Sequence, residues 1–517
     1  MSTAGIGHDS ASLTHPVTPA RTHGDPVGET ARERLGVDYL YPIQRFVVSN
    51  VLEGNSQVVV LPTGAGKSLC FQLPALLLPG PTLVLVPLLS LLSDQLRKMA
   101  ERGIAAAALR GGLTPAEKAM LFAQARSGGL KLILATPEAC LVPATLEQLR
   151  ACAFRHLVVD EAHCISEWGD SFRPAYRSVG DIARALGVPA ISAFTATASP
   201  PVIERIRSTL AGDAEMRIVA TGADRPAITY EVRSFISRTH ALVDMARAAE
   251  KPLLVFCRTR NGTERAARAM RARFPGMPVR FYHAGLAREE RKGVEEWFLP
   301  SRDGVLCATC AYGLGVDKPD IRTIVHADVP WSIEAYLQES GRAGRDGSLA
   351  RAVLLTSAED EELLLRLDDA TARERFAAML GYARDASTCR RNHLLALIGQ
   401  EPVACSGCDV CRGAVEELPA GSAEILHFVE RHRRRWLPAE AAAILSAEQG
   451  PRARRGFLDC IEGWGALPGW TREEVQEGIH ALLAAGRLRL RARGPWKGKL
   501  SVPPGFHRPD GDALRTD

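Results

Sequence analysis

The chain has 517 residues, 46% of them hydrophobic, with 64 Lys and Arg against 59 Asp and Glu for a net charge of +5. That length accommodates about three domains with cores of their own, and the near balance of charge excludes a polycation that coats its partner through bulk charge. No run approaches the ~20 apolar residues that span a bilayer, and twelve cysteines over this length are no disulfide framework, so the expected setting is a reducing cytoplasm.

Residues 1–28 are rich in Ser, Thr, Gly, Pro and His and read as a disordered leader, with neither the basic nor the apolar region of a secretion signal. From 29 to 213, short apolar strands alternate with helical stretches: Gln57–Leu61, Thr82–Val86, Leu130–Ala135, His156–Asp160 and Ala190–Thr195. A second set over 214–358 carries Pro252–Cys257, Val279–Tyr282, Gly304–Ala308, Thr323–Ala327 and Arg351–Leu355. Each alternation predicts a parallel sheet with crossover helices, and two such α/β domains in tandem leave a cleft suited to a nucleotide. Residues 359–415 read as helical and end in a cysteine cluster, 420–505 as a helical, Trp-bearing, basic domain, and 506–517 as a tail. Cys140, Cys152, Cys257, Cys307 and Cys310 lie in apolar contexts and read as small core residues.

Three stretches carry chemistry. After the first strand comes Thr63-Gly64-Ala65-Gly66-Lys67-Ser68. Its glycines let backbone N–H groups face a polyphosphate, Lys67 brings a point charge to the β- and γ-phosphates, and Ser68 offers a hydroxyl to Mg²⁺. The strict pattern asks for Gly where this chain has Leu61. The run Leu157-Val158-Val159 closes on Asp160-Glu161-Ala162-His163. There Asp160 can hold Mg²⁺ and Glu161 can orient or deprotonate an attacking water. In Gln338-Glu339-Ser340-Gly341-Arg342-Ala343-Gly344-Arg345, the two arginines share a helical face and can reach a γ-phosphate across a cleft. Each stretch alone has a plain structural reading as a solvated pair or helix. Their order on two α/β halves points to ATP hydrolysis.

Cys405, Cys408 and Cys411 stand at three-residue spacing, with Cys389 sixteen positions upstream beside Arg390 and Arg391. Four thiolates suit a closed, structural Zn²⁺ site, while an iron–sulfur cluster and free thiols are the alternatives. Further on, Ala423–Arg434, Pro438–Ser446 and Thr471–Ala485 read as helices, followed by basic segments at 487–493 and 497–499 around Gly494-Pro495-Trp496. Three helices and a basic β-hairpin make a winged helix suited to a phosphate backbone, with a plain helical cap as the alternative. Trp496 at the hairpin tip can stack on a terminal base pair as a wedge, or fold back on its own domain.

Over roughly 30–505 the chain resembles the RecQ-type DNA helicases of superfamily 2. The resemblance runs in order through Val86-Pro87-Leu88-Leu89-Ser90-Leu91, Ser93-Asp94-Gln95, Phe194-Thr195-Ala196-Thr197-Ala198, Phe256-Cys257-Arg258-Thr259-Arg260, Tyr282-His283-Ala284-Gly285-Leu286 and Tyr312-Gly313-Leu314-Gly315-Val316-Asp317-Lys318-Pro319. It includes the aromatic loop between His163 and Tyr176. It implies two RecA-like domains, a zinc-binding element and a winged helix, driven by ATP and Mg²⁺ in 3′-to-5′ unwinding for repair, recombination or fork maintenance. Its partners would be single-stranded and duplex DNA, without a membrane, and on the nucleoid if the source is bacterial. It further implies nucleotide contacts from Gln44, Gly315 and Asp317, and catalysis involving Gln338. DNA contacts would come from Trp168, Phe172, Arg173, Thr197, Arg258, Arg390 and Arg391, with His163 coupling the aromatic loop to the nucleotide. In the adenine-recognition motif the usual aromatic is replaced by Val37 and the usual arginine by Tyr41, leaving Gln44 to read the adenine edge. Other readings are a duplex translocase that separates no strands, a DNA-binding regulator with a decayed motor, and, from the DEAH stretch alone, an RNA helicase.

Overall fold

A computed structural model describes residues 25–62, 65–87, 89–167, 174–212, 214–222, 224–313, 318–415, 418–448 and 460–503. Strands β1 (Gln57–Val60), β2 (Thr82–Leu85), β3 (Ala106–Leu109), β4 (Leu132–Ala135), β5 (His156–Val159), β6 (Ala190–Thr195) and β7 (Arg217–Ala220) form one all-parallel sheet, ordered β3-β4-β2-β5-β6-β1-β7. Val58, Leu83, Leu157 and Val159 pack into the core on one face, and Val59, Val84, Val158 and Phe194 into the core on the other. Burial on both faces is why these strands are nearly unbroken apolar runs.

The second sheet, also parallel, takes β8 (Ile228–Ser234), β9 (Leu253–Phe256), β10 (Val279–Tyr282), β11 (Val305–Ala308), β12 (Thr323–His326) and β13 (Ala350–Thr356) in the order β10-β11-β9-β12-β13-β8. All ten expected strands are present, most shortened by a residue or two at an end, while Arg351–Leu355 is extended by one residue at each end. Three were not anticipated. β3, β7 and β8 are edge strands: Ala106–Leu109 is alanine-rich and of low strand propensity, Arg217–Ala220 buries a single residue, and Ile228–Ser234 is interrupted by Glu231 and Arg233. Because β7 pairs with β1, the first domain extends past 213 and the linker is 221–227. The leader also ends earlier than expected: Asp25 caps a helix over Pro26–Leu35, while the disorder expected for residues 1–24 lies outside the described residues.

Helices Ala358–Leu365, Ala370–Arg384 and Arg390–Leu397 lead to the cysteine cluster, where Cys408 bridges Tyr230 at the edge of β8. In the C-terminal domain, helices Ser422–Arg431, Pro438–Leu445 and Arg472–Ala484 enclose a core that also takes Ile236 from the second α/β domain. Its wing is short: β14 (Arg489–Leu490) pairs with β15 (Leu500–Ser501), and Leu500 also exchanges backbone hydrogen bonds with Arg434 and Trp436. Among the described residues no helix is long and apolar enough to cross a membrane.

Candidate functional site

The nucleotide cleft is assembled from strand ends. Beyond β1 the chain turns at Pro62, and Gly66, at φ 82°, forms the left-handed N-cap of the helix Lys67–Leu77. That positive φ favours glycine, and a Cβ there would fall 2.5 Å from Gln44 Nε2 and displace it. Gln44 is buried, its Nε2 donating to Ala65 O at 2.9 Å and its Oε1 accepting from Tyr41 N at 3.1 Å. In this structure it therefore braces the phosphate loop instead of presenting an open amide edge. Lys67 Nζ is buried without a hydrogen-bond partner among the described residues. The Asp160 and Glu161 carboxylates lie within its electrostatic reach without hydrogen-bonding to it, and a polyphosphate at this helix N-terminus would take its free N–H donors. Thr63 and Gly64 lie outside the described residues, as do Gly315 and Asp317.

Asp160 follows β5. Its Oδ1 accepts from Glu161 N at 3.0 Å and its Oδ2 from Gln95 Nε2 at 3.1 Å. Burial, reinforced by the neighbouring Glu161 charge, pushes its pKa up to about 6 despite the pull of Lys67. Asp160, and Ser68 at the second position of the helix Lys67–Leu77, are the residues that could offer oxygens to a divalent cation. Glu161 has φ 50°, left-handed for a non-glycine residue, and Ala162 N is tied to Phe194 O of β6 at 2.8 Å. Holding a carboxylate residue in that conformation costs about 1–3 kcal/mol, which the packed strand ends on either side sustain. Burial alone would raise the Glu161 pKa, but Lys67, then His163, Arg342 and Arg345 outweigh it and hold the acid below its usual range.

Two of those charges come from the other domain. The helix Ile333–Ser340, carrying half-buried Gln338, ends just before Arg342 and Arg345. Arg342 is buried, and desolvation followed by repulsion from Arg345 lowers its pKa to about 10, still fully cationic at neutral pH. His163 Nδ1 lies 3.1 Å from Thr195 Oγ1 and 3.5 Å from Glu161 Oε2, joining the Asp-Glu pair to the end of β6. Thr195 Oγ1 in turn donates to Thr197 O at 2.8 Å. Beyond β6 the domains touch: Ser199 Oγ donates to Glu334 Oε1 at 2.6 Å and Thr197 Oγ1 to Glu334 O at 3.4 Å.

Four expected DNA contacts are turned inward. Buried Thr197 serves the domain interface. Arg258 donates to Val329 O and Asp360 and lies over the rings of Trp331 and Phe376, fastening the second sheet to the helices after it. Arg390, 2% exposed, pairs with Asp409 at 2.9 Å, and Arg391, 1% exposed, pairs with Asp224. Neither is presented to a ligand, because each guanidinium is neutralised inside the fold. Trp168, Phe172 and Arg173 lie outside the described residues; just before them, Ser166 accepts a hydrogen bond from Arg375.

The sulfurs of Cys389, Cys405, Cys408 and Cys411 lie within 4.8 Å of one another. Gly407 N and Cys411 N donate to the sulfurs of Cys405 and Cys408, and hydrogen bonds with the other cluster thiols push the Cys411 pKa up to about 12. Four thiols this close deprotonate together only around a cation, and tetrahedral Zn²⁺ with bonds of about 2.3 Å fits the spacing. Of the cysteines expected in the core, Cys140, Cys152, Cys257 and Cys307 are buried, but Cys310 is exposed, since it begins a 3₁₀ turn beyond the end of β11.

At the wing, Trp496 is 44% exposed and lies under the Arg434 guanidinium at 5.5 Å. The turn holding Arg434 and Arg435 sits beside the hairpin, with Lys499 Nζ donating to Arg435 O. Basic residues from two distant segments thus converge on one face.

Two parallel sheets, with a phosphate loop and an Asp-Glu pair on one and arginines from the other turned toward them, define a helicase-type nucleotide motor. Comparisons with known proteins agree. Residues 41–206 match the DEAD/DEAH box helicase family, 237–347 the helicase conserved C-terminal domain, and 361–412 the RecQ zinc-binding family. The chain is 34% identical over 483 residues to the ATP-dependent DNA helicase RecQ of Pasteurella multocida, covering 90% of this chain and 76% of that protein. It is 35% identical over 338 residues to the probable ATP-dependent DNA helicase RecS of Bacillus subtilis, covering 64% and 67%. The chain belongs to the RecQ family of helicases. The same fold occurs in the Mycobacterium smegmatis helicase Lhr bound to ssDNA and AMP-PNP, with TM-score 0.51 and 22% identity over 93% of this chain and 61% of that one. It occurs also in the helicase MrfA bound to DNA and AMPPNP, with TM-score 0.54 and 20% identity over 74% and 59%.

Proposed function

We propose that this chain is an ATP-dependent DNA helicase that moves 3′ to 5′ along one strand and separates duplex DNA in repair, recombination or fork maintenance. The observation that carries this reading is Glu161, on the first sheet, under the combined charge of Lys67 and of Arg342 and Arg345 from the second. Hydrolysis then depends on how the two domains meet, which is the requirement for turning it into movement. Lys67 and the backbone before it bind the polyphosphate; Glu161 orients and deprotonates the attacking water; Arg342 and Arg345 offset charge that develops on the transferred phosphoryl group. Ser68 and Asp160 would hold Mg²⁺, which when bound neutralises phosphate charge. Gln338 rides the helix leading to the arginines. His163 passes the occupancy of the Trp168–Phe172–Arg173 loop to Glu161. Cys389, Cys405, Cys408 and Cys411 would hold structural zinc.

Single-stranded DNA is gripped across the motor, and the duplex by the basic wing around Trp496. A cytoplasmic, nucleoid-associated setting is proposed with it. The wing pairs over two residues on each side, and this brevity favours, as a second reading, a translocase that separates strands poorly. The test is unwinding of 3′-tailed, 5′-tailed and forked duplexes with ATP and Mg²⁺, scored alongside hydrolysis. Unwinding confined to 3′-tailed and forked substrates is expected. DNA-stimulated hydrolysis with no strand separation would select the translocase, and 5′-tailed preference would overturn the polarity.

A further inference from the structure

Arg225 lies in the linker between the two sheets, three residues before β8. Among the described residues its guanidinium makes no hydrogen bond to a carboxylate. Nη1 instead donates to Gly341 O at 2.7 Å, and Nη2 to Ala343 O at 3.0 Å and Gly344 O at 3.3 Å. These carbonyls bracket Arg342 and lead directly into Arg345. They also follow the end of the helix Ile333–Ser340, where main-chain acceptors lack intrahelical donors. The turn is tight: Gly344 has φ 56°, and a Cβ there would meet Ser348 O at 2.5 Å. Burial and the nearby Arg345 both lower the Arg225 pKa, so placing a third cation here is electrostatically unfavourable. What it provides in exchange is a fixed path for the main chain on both sides of Arg342.

Arg225 is itself held by the cysteine-bearing element. Arg391, two residues after Cys389, donates to Arg225 O at 3.0 Å, to Ile228 O at 2.6 Å and to Ser406 Oγ at 2.5 Å. Ser406, between Cys405 and Cys408, donates onward to Pro226 O at 2.6 Å. The linker is thus clamped from below by residues adjoining three of the four thiols. Above, it clamps the arginine turn.

We propose that Arg225 is a positioning residue that sets Arg342 and Arg345 against Glu161, and that the cysteine cluster acts on hydrolysis through it. The inference rests on the ATPase reading above and deepens it.

The test uses the full chain and four variants: Arg225→Ala, Arg225→Lys, Ser406→Ala and, as reference, Arg342→Ala. The readouts are kcat and KM for ATP with single-stranded DNA, DNA affinity, zinc content, and binding of ADP–aluminium fluoride against AMPPNP. Because small misplacement of catalytic groups is costly, Arg225→Ala should lower kcat about 10- to 100-fold while KM, DNA affinity and zinc stay within about twofold. ADP–aluminium fluoride affinity should fall with kcat, and AMPPNP affinity should not. Arg225→Lys should recover part of the loss, and Ser406→Ala should show the same split more weakly. If Arg225→Ala is insoluble, the kcat-against-KM split in the other two variants decides in the same way. Native kcat in Arg225→Ala with an inactive Arg342→Ala overturns the positioning role alone. Parallel loss of zinc, AMPPNP binding and melting temperature makes Arg225 a folding residue and also overturns it. An Arg342→Ala protein as active as the native one removes the arginine-finger reading itself.

Discussion

Glu474→Ala should detach the winged helix from the motor without stopping the motor. Glu474 is buried at the third position of the helix Arg472–Ala484, where its Oε2 accepts from Thr471 N at 2.8 Å while Thr471 Oγ1 accepts from Glu474 N at 3.2 Å. Across the interface, Arg273 Nη2 donates to both carboxylate oxygens at 3.1 Å, and His240 Nδ1 lies 3.5 Å from Oε2. Losing the capping box costs about 1 kcal/mol. Breaking a buried ion pair costs about 3–5 kcal/mol, but the Arg273 side chain is 30% exposed and water recovers part of its charge, so about 1–2 kcal/mol is the better figure here. Together about 2–3 kcal/mol is at stake, a shift of roughly 30- to 150-fold in the docked population if all of it falls on docking. Glu477, on the same helix, still accepts from Ser237 and Thr239 and so retains part of the docking. The expected result is a separate, lower melting transition for the C-terminal domain, retained DNA-stimulated hydrolysis and reduced unwinding. Glu474→Gln keeps the cap and should show the smaller ion-pair share. Burial alone would raise the Glu474 pKa, but His240, Thr471 N–H and Arg273 lower it overall. The contribution is therefore complete above the unfolded value near 4.5 and is lost as pH falls through the lower folded value. One cooperative transition at the native temperature in Glu474→Ala would refute this account of the docking.

Lys67→Ala should abolish hydrolysis at an unchanged melting temperature, and Glu161→Gln should retain bound ATP; near-normal turnover in either would undo the site assignment. Because protons and a divalent cation compete for Asp160, whose pKa is raised to about 6, hydrolysis should fall below that pH at low Mg²⁺ and recover when Mg²⁺ is increased. An acid limb indifferent to Mg²⁺ would separate Asp160 from the metal. Cys408→Ser should lose metal and soluble yield, while the native chain should carry about one zinc per molecule in elemental analysis. Iron with visible absorption would favour the cluster. Trp496→Ala should keep single-strand-stimulated hydrolysis and lose most separation of a forked duplex; unchanged unwinding would leave the wing as a backbone clamp.

What the sequence discloses follows from how local each determinant is. The central strands were legible because both faces are buried and the apolar run is contiguous, as in Leu157-Val158-Val159. The edge strands were not, since Ala106–Leu109 and Arg217–Ala220 take their register from neighbours far along the chain. The same distinction divides the site. Lys67, Asp160 and Glu161 sit on turns whose chemistry is written in adjacent residues. Arg390 and Arg391 were misjudged as surface cations because the groups that neutralise them, Asp409 and Asp224, are remote in sequence. Gln95, which fixes Asp160, lay within a quoted motif, but nothing near it indicated its partner.

The residues hidden from sequence reading are the ones that tie domains together. Glu334 receives the first sheet's Ser199, Arg258 fastens the helices after the second sheet, and Glu474 docks the winged helix. Glu334 and Glu474 carry no motif-like neighbourhood, and the motif around Arg258 did not disclose its partner Asp360, because each is defined by what it meets across a boundary. A motor needs both kinds of residue: local turns that make the chemistry possible, and boundary contacts that make it depend on domain position. Glu161 joins them. Its strained turn is set by β5 and β6, while part of the charge that keeps it ionised arrives with the second domain. Opening the cleft would withdraw Arg342 and Arg345 while leaving Lys67 and His163 in place, so the carboxylate would remain but the charge opposite it would not. On the proposed reading the catalytic centre would be complete only with the domains closed, and that dependence would let hydrolysis drive movement along DNA.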